Sequence, residues 1–224
     1  MNAPRALKRL PSQRDRFAPL MVALFFMMLA YPYVPDGELG ALLGGLLAMT
    51  GVLTGVYALR GHSFAYPVSG GLAVLALGCH CLDFIEPEMA PIWCTELLYG
   101  LFYLFVTVMV MHEVLMSARL TAGTIAGAIS GYLLVGFTFA QIYDLIETVN
   151  PGSFHVGNPI QAQAGWQTLV FFSFMTLTTV GYGDITPATT QTQSLAMVEG
   201  SIGVLYVAIF IAAMVGLTVG RDRS

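Results

Sequence analysis

The chain has 224 residues, 10% of them charged and 56% hydrophobic, whereas soluble globular proteins carry about 25% charged residues. Nine Lys and Arg against thirteen Asp and Glu give a net charge of −4, so no basic face is available for nucleic acid, and three cysteines are too few for a disulfide scaffold. A soluble enzyme, a nucleic-acid binder and a disordered tail are excluded as whole-chain readings; a mean hydropathy of +0.74 leaves a membrane protein.

Residues 1–16 hold five of the nine cations (Arg5, Lys8, Arg9, Arg14 and Arg16) and read as a basic cytoplasmic N-terminus, resting on anionic lipid or setting topology. A signal peptide is the alternative, but Tyr31-Pro32-Tyr33 is a poor small-residue cleavage site. A spanning helix needs about 20 mostly apolar residues. Six stretches qualify: Phe17–Tyr33, Leu39–Leu59, Phe64–Leu82, Pro91–Met111, Thr121–Tyr143 and Leu195–Val219. Pro35-Asp36-Gly37, Arg60-Gly61-His62 and the segment from Asp83 to Pro91 separate the early spans with turn chemistry. None alternates as barrel strands do. With six spans, Arg60, Arg119, Arg221 and Arg223 join the N-terminal cations on one side, and the other loops carry acids (Asp36, Glu38, Asp83, Glu86, Glu88, Asp144, Glu147 and Asp184). Both termini are therefore expected in the cytoplasm, in a multi-pass protein of the cell (inner) membrane.

Between spans five and six, 148–165 is polar and turn-rich, with Asn150-Pro151-Gly152 and Asn158-Pro159. Trp166–Leu177 follows as an apolar stretch too short to span but long enough for a re-entrant helix. Irregular backbone at membrane depth is tolerated only where protein buries it or it lines a water-filled path. The expected fold is an all-α membrane protein of six transmembrane helices and one re-entrant helix. It divides into a four-helix domain, 17–116, and a pore domain, 119–220, with the re-entrant helix at 166–177 and the loop after it at 178–184.

That loop reads Thr178-Thr179-Val180-Gly181-Tyr182-Gly183-Asp184. Its glycines can take backbone angles closed to other residues, which lets consecutive carbonyls turn to one side. Carbonyls from four such loops can replace the water shell of a dehydrated cation. The negative end of the re-entrant helix dipole would favour a cation there too.

Thr-Val-Gly-Tyr-Gly-Asp resembles the selectivity filter of potassium channels, and Phe172-Ser173-Phe174 before it and Ile185-Thr186-Pro187 after it resemble bacterial members. The resemblance covers roughly Thr121–Val219. It implies K⁺ coordination by the carbonyls of Thr179, Val180, Gly181 and Tyr182 and the Thr179 hydroxyl. Thr178, Gly183, Asp184, Phe171, Phe172 and Met175 would support the filter, and Gly203 would be the hinge glycine of the inner helix. One filter per chain needs four chains to close a ring, so a homotetramer in lipid is expected, with K⁺ as permeant ion and no cofactor.

Departures from the family pattern are also visible. Phe171 and Phe172 stand where many potassium channels place aromatic residues with polar tips, and Met175 stands where some carry an acid that pairs with the filter aspartate. Span four contains no Lys or Arg, so an arginine-based voltage sensor is not expected. No soluble regulatory domain is expected in the chain.

Other features admit plainer readings. Cys79-His80-Cys81 with Asp83 and Cys94 reads as packing, as one disulfide (Cys79–Cys94 or Cys81–Cys94), or as a metal site. Gly123, Gly127 and Gly131, like Gly40/Gly44 and Gly51/Gly55, have the spacing of close helix packing, for the span-five set against span six or a neighbouring subunit. Glu96 and Glu199 fall near outer span ends and reach interfacial water or, for Glu199, support the filter from behind. His155 reads as a solvated loop residue. Competing functions are a K⁺ transporter, which needs four pore repeats where one is found, and a non-selective cation channel, which calls for a carboxylate where Tyr182 stands. A membrane enzyme using Cys79, His80, Asp83 and Glu86 lacks a matched nucleophile and base.

Overall fold

A computed structural model describes residues 13–34, 38–85, 92–117, 121–157 and 165–221. The expectations placed on 1–12, Pro35-Asp36-Gly37, Glu86, Glu88, Pro91, Arg119, Asn158-Pro159 and Arg223 lie outside the described residues. The protein is mostly helical. Helices α1 (Gln13–Ala30), α2 (Glu38–Ala58), α3 (Ala65–Ile85) and α4 (Ile92–Leu115) precede the long α5 (Ala122–Val149), then come a short α6 (Trp166–Leu177) and α7 (Thr190–Arg221). Among the described residues, five helices are long and apolar enough to cross a membrane: α1, α3, α4, α5 and α7. The apolar run of α2, Leu42–Ala58, is shorter, and so is α6.

Helix α5 is the central element, enclosed by α1, α4, α6 and α7. Thr121 caps its start by accepting from the Thr124 N–H at 3.1 Å, satisfying one of the orphan donors of the first turn. Small residues then let the neighbours approach. A side chain at Gly127 would meet Phe17 of α1 and Val114 at 2.8 Å, and one at Gly136 would meet Phe174 of α6 at 2.7 Å. The glycine stripe of α5 thus packs against α1 and α4 as well as α7, where Gly131 faces the Tyr206 hydroxyl. The span-five expectation named too few neighbours, because spacing reveals a smooth face but not what lies on it.

One apolar core runs from α1 through α5 into α6. Phe102 and Tyr103 of α4, Phe137 of α5 and Phe174 of α6 form a chain of ring contacts with centroids 5.6, 6.2 and 5.3 Å apart. At the end of α1, Tyr31 meets Trp166 edge-on at 6.5 Å, and Gln167 donates to the Val34 carbonyl at 3.2 Å. At the opposite end of the bundle, Arg16 pairs with Glu113 at 2.6 Å and donates to the Arg60 carbonyl at 2.9 Å. His62 reaches the other Glu113 oxygen at 2.9 Å.

A two-stranded antiparallel ribbon was not legible beforehand: β1 (Phe154–Val156) pairs with β2 (Ile185–Pro187). The Gly157 N–H donates to the Asp184 carbonyl at 2.7 Å, and the Ala188 N–H to the Ser153 carbonyl at 2.8 Å. The ribbon therefore ties the segment before α6 to the segment after the 178–184 loop. His155 is exposed on it, opposite Thr186.

Candidate functional site

The last four carbonyls of an α-helix have no partner inside the helix. In α6 they are Phe174, Met175, Thr176 and Leu177, and the loop that follows supplies most of what they need. The Thr178 N–H and hydroxyl both donate to Phe174, at 3.0 and 2.6 Å. The Thr179 N–H donates to Thr176 at 3.0 Å, and the N–H groups of Val180 and Gly181 share the Met175 carbonyl at 2.9 and 3.1 Å. Leu177 accepts from the Tyr132 hydroxyl at 3.4 Å. The loop is in effect the C-cap of α6.

This arrangement dictates where the loop carbonyls face. In a trans peptide the carbonyl of one residue points opposite the N–H of the next, and no peptide bond among the described residues is cis. With the N–H groups of 179, 180 and 181 turned back onto α6, the carbonyls of Thr178, Thr179 and Val180 point away from it. Alternate residues take positive φ: Thr179 at 59°, Gly181 at 53° and Gly183 at 85°. Successive residues of opposite hand gather N–H groups on one side, leaving the carbonyls on the other. A β-branched residue in this region is an outlier, and such strain costs about 1–3 kcal/mol and persists only where the surroundings over-determine it. At Thr179 the bond to Thr176 and its bonded neighbours do so.

The residues expected to support the loop take different places around it. Phe171 stacks on Tyr182, the rings 6.2 Å apart and 6° from parallel. Phe172 lies one layer deeper, against Tyr143 and Phe154, each at 5.2 Å. Met175 contributes chiefly its backbone carbonyl, and it also lines a 30 Å³ cavity with Phe171, Gly181, Tyr182, Gly183 and Asp184. Asp184 is exposed and is anchored through its carbonyl to Gly157. Thr178 through Asp184 are all exposed in the single chain, with Val180 at 51% and Tyr182 at 68%.

Gly203 packs where α7 crosses the end of α6, and a Cβ there would stand 1.9 Å from the Leu177 carbonyl oxygen. Glu199, one helical turn earlier, does not reach interfacial water: it is fully buried, bonded to Tyr143 and Ser173. The sequence did not mark Tyr143 and Ser173 as partners of Glu199, because nothing in local spacing says which hydroxyls converge on one carboxyl. Glu96 bonds Gln141 of α5, and Thr95 bonds Asp83. Cys79, Cys81 and Cys94 are free.

No curated protein and no solved structure matches the chain. Residues 131–219, from within α5 through α6 and the 178–184 loop into α7, match the family model described as "Ion channel", and among the described residues five helices are long and apolar enough to cross a membrane.

Proposed function

We propose that the protein is a K⁺-selective channel in which residues 178–184 of four identical chains form the selectivity filter around a common axis. The observation that carries this reading is the turning of the loop N–H groups onto α6, which leaves a row of carbonyls on the free face. A row of this kind replaces the hydration shell of a cation. Thr179 and Val180 belong to that row, and together with Gly181 and Tyr182 they supply the ligands, with the Thr179 hydroxyl at the inner end. The exposure of this face in one chain fits a site completed only by its neighbours. Six helices cross the cell membrane, α2 among them, with both termini in the cytoplasm, and Gly203 belongs to the inner helix that lines the path.

Planar-bilayer recording of the purified protein tests selectivity and voltage response together. The reversal potential should follow the K⁺ gradient and ignore Na⁺. Moving one elementary charge through 100 mV is worth about 2.3 kcal/mol, and steep gating takes roughly 3–4 charges per subunit. Helix α4 offers no Lys or Arg to move, and Arg16 is held in its pair with Glu113. Open probability should therefore change with voltage by the equivalent of at most about one or two charges for the assembly. Permeation of Na⁺ as readily as K⁺ would overturn the filter assignment, and a steep curve insensitive to external K⁺ would overturn the reading of the N-terminal helices. Chemical cross-linking in mild detergent should give a ladder ending at four subunits; one ending at two would point to a transporter.

A further inference from the structure

Glu199 sits where α5, α6 and α7 meet. Its side chain and those of Tyr143 and Ser173 have no exposed surface. The Tyr143 hydroxyl donates to one carboxyl oxygen at 2.7 Å, and the other carboxyl oxygen is hydrogen-bonded to the Ser173 hydroxyl. That same Ser173 oxygen lies 2.7 Å from the Gly136 carbonyl.

Counting protons decides the state of this network. A hydroxyl has one proton to give and a carbonyl can only accept. Were Glu199 ionised, Ser173 would face two acceptors with a single proton, and one contact would set lone pair against lone pair. A proton on Glu199 removes the conflict: Glu199 donates to Ser173, Ser173 to Gly136, and Tyr143 to Glu199. Among the described residues no cation is paired with Glu199. The ion pairs among the described residues are those of Arg16 and His62 with Glu113, at the other end of the bundle. The titratable groups around Glu199 are Tyr143 and Tyr132 of α5 and Tyr206 of α7, whose hydroxyl donates to Ala128; α6 contains none. A buried charge without a partner is strongly unfavourable.

We propose that Glu199 is a neutral, protonated carboxyl that positions the filter, setting the depth of α6 between the outer and inner helices through Ser173. Ser173 lies one turn before Thr176 and Leu177, and Met175 and Thr176 hold the loop N–H groups. A shift of α7 at Glu199 is thus passed to the carbonyl row through the last turn of α6. The proposal rests on the reading of 178–184 as the filter, but the protonation can be tested apart from it.

The test uses the full chain in liposomes. An infrared difference spectrum between wild type and Glu199→Gln should show the C=O stretch of a protonated acid, shifted in D₂O; carboxylate bands in its place would overturn the proposal even if K⁺ conduction is established. In bilayers, Glu199→Gln offers one acceptor and one donor to the same partners and should keep the rate of current decay within about twofold of wild type. Glu199→Leu and Ser173→Ala should speed that decay by about tenfold, the equivalent of one buried hydrogen bond. Ser173→Ala provides the test if the leucine variant does not assemble. Wild-type decay in Ser173→Ala, or decay in Glu199→Gln as fast as in Glu199→Leu, would overturn the positioning role. A wild type that conducts no K⁺ would sink the filter reading and leave the infrared result to decide the proton.

Discussion

Gly181→Ala should abolish K⁺ flux into proteoliposomes while the tetramer still elutes intact on size exclusion. Gly181 has φ of 53°, and nothing in its own chain lies within 4 Å of an added Cβ. The penalty is therefore conformational, not steric. An L-residue in the left-handed region costs about 1–2 kcal/mol. In the proposed tetramer four chains share one conducting geometry, so the penalty repeats to about 4–8 kcal/mol, a factor of roughly 10³–10⁶ in its population. The Gly181 N–H bond to Met175 opposes any relaxation to negative φ, so the loop either pays the strain or lets its carbonyls turn away. Assembly draws on the large apolar faces and is spared. Normal flux through this variant would show that the 178–184 loop is not the filter.

Gly203→Ala should be more damaging to the fold than to the ion path alone, with the tetramer peak lost along with the flux. Alanine normally favours a helix over glycine by about 1 kcal/mol, so the sign is set by contact. A methyl group 1.9 Å from the Leu177 oxygen overlaps a backbone atom that cannot rotate aside. Overpacking of this kind typically costs about 1–3 kcal/mol per site, occasionally more, and in the proposed tetramer it repeats in every subunit. Gly71→Ala on α3, where an added Cβ meets nothing within 4 Å, is the control and should change stability by no more than about 1 kcal/mol. An intact Gly203→Ala tetramer with only a shifted open probability would mean that bending, not close approach, is what this glycine supplies.

The 178–184 loop and α6 were legible because their information is local. Twelve apolar residues are too few to cross a membrane, and the alternating glycines state a backbone conformation outright. The helix expected at 166–177 is the one observed. What lay hidden depends on partners distant in the chain. Ile185-Thr186-Pro187 and Phe154-His155-Val156 are each too short to signal a strand, and only their pairing across the 28 residues between them makes one. Glu199 could be recognised as an unusual acid, but Tyr143 lies 56 residues away and Ser173 26. Met175 was singled out for its missing acid, whereas its carbonyl, common to every residue type, holds the loop.

The common core of α1, α4, α5 and α6 has a consequence for how the molecule can be taken apart. A sensor module joined to a pore by a flexible linker can be deleted or exchanged, since few contacts cross the joint. The described residues are instead packed across that boundary: Phe17 and Val114 fill the face of α5 left open by Gly127, and Tyr103 backs Phe137, which backs Phe174. Removing residues 17–116 would strip α5 of its covering and leave a trench of small residues that lipid chains fill poorly. The N-terminal helices are in this sense the rear wall of the proposed pore, and chimaeras should be cut within loops that keep α1, α4 and α5 from one parent.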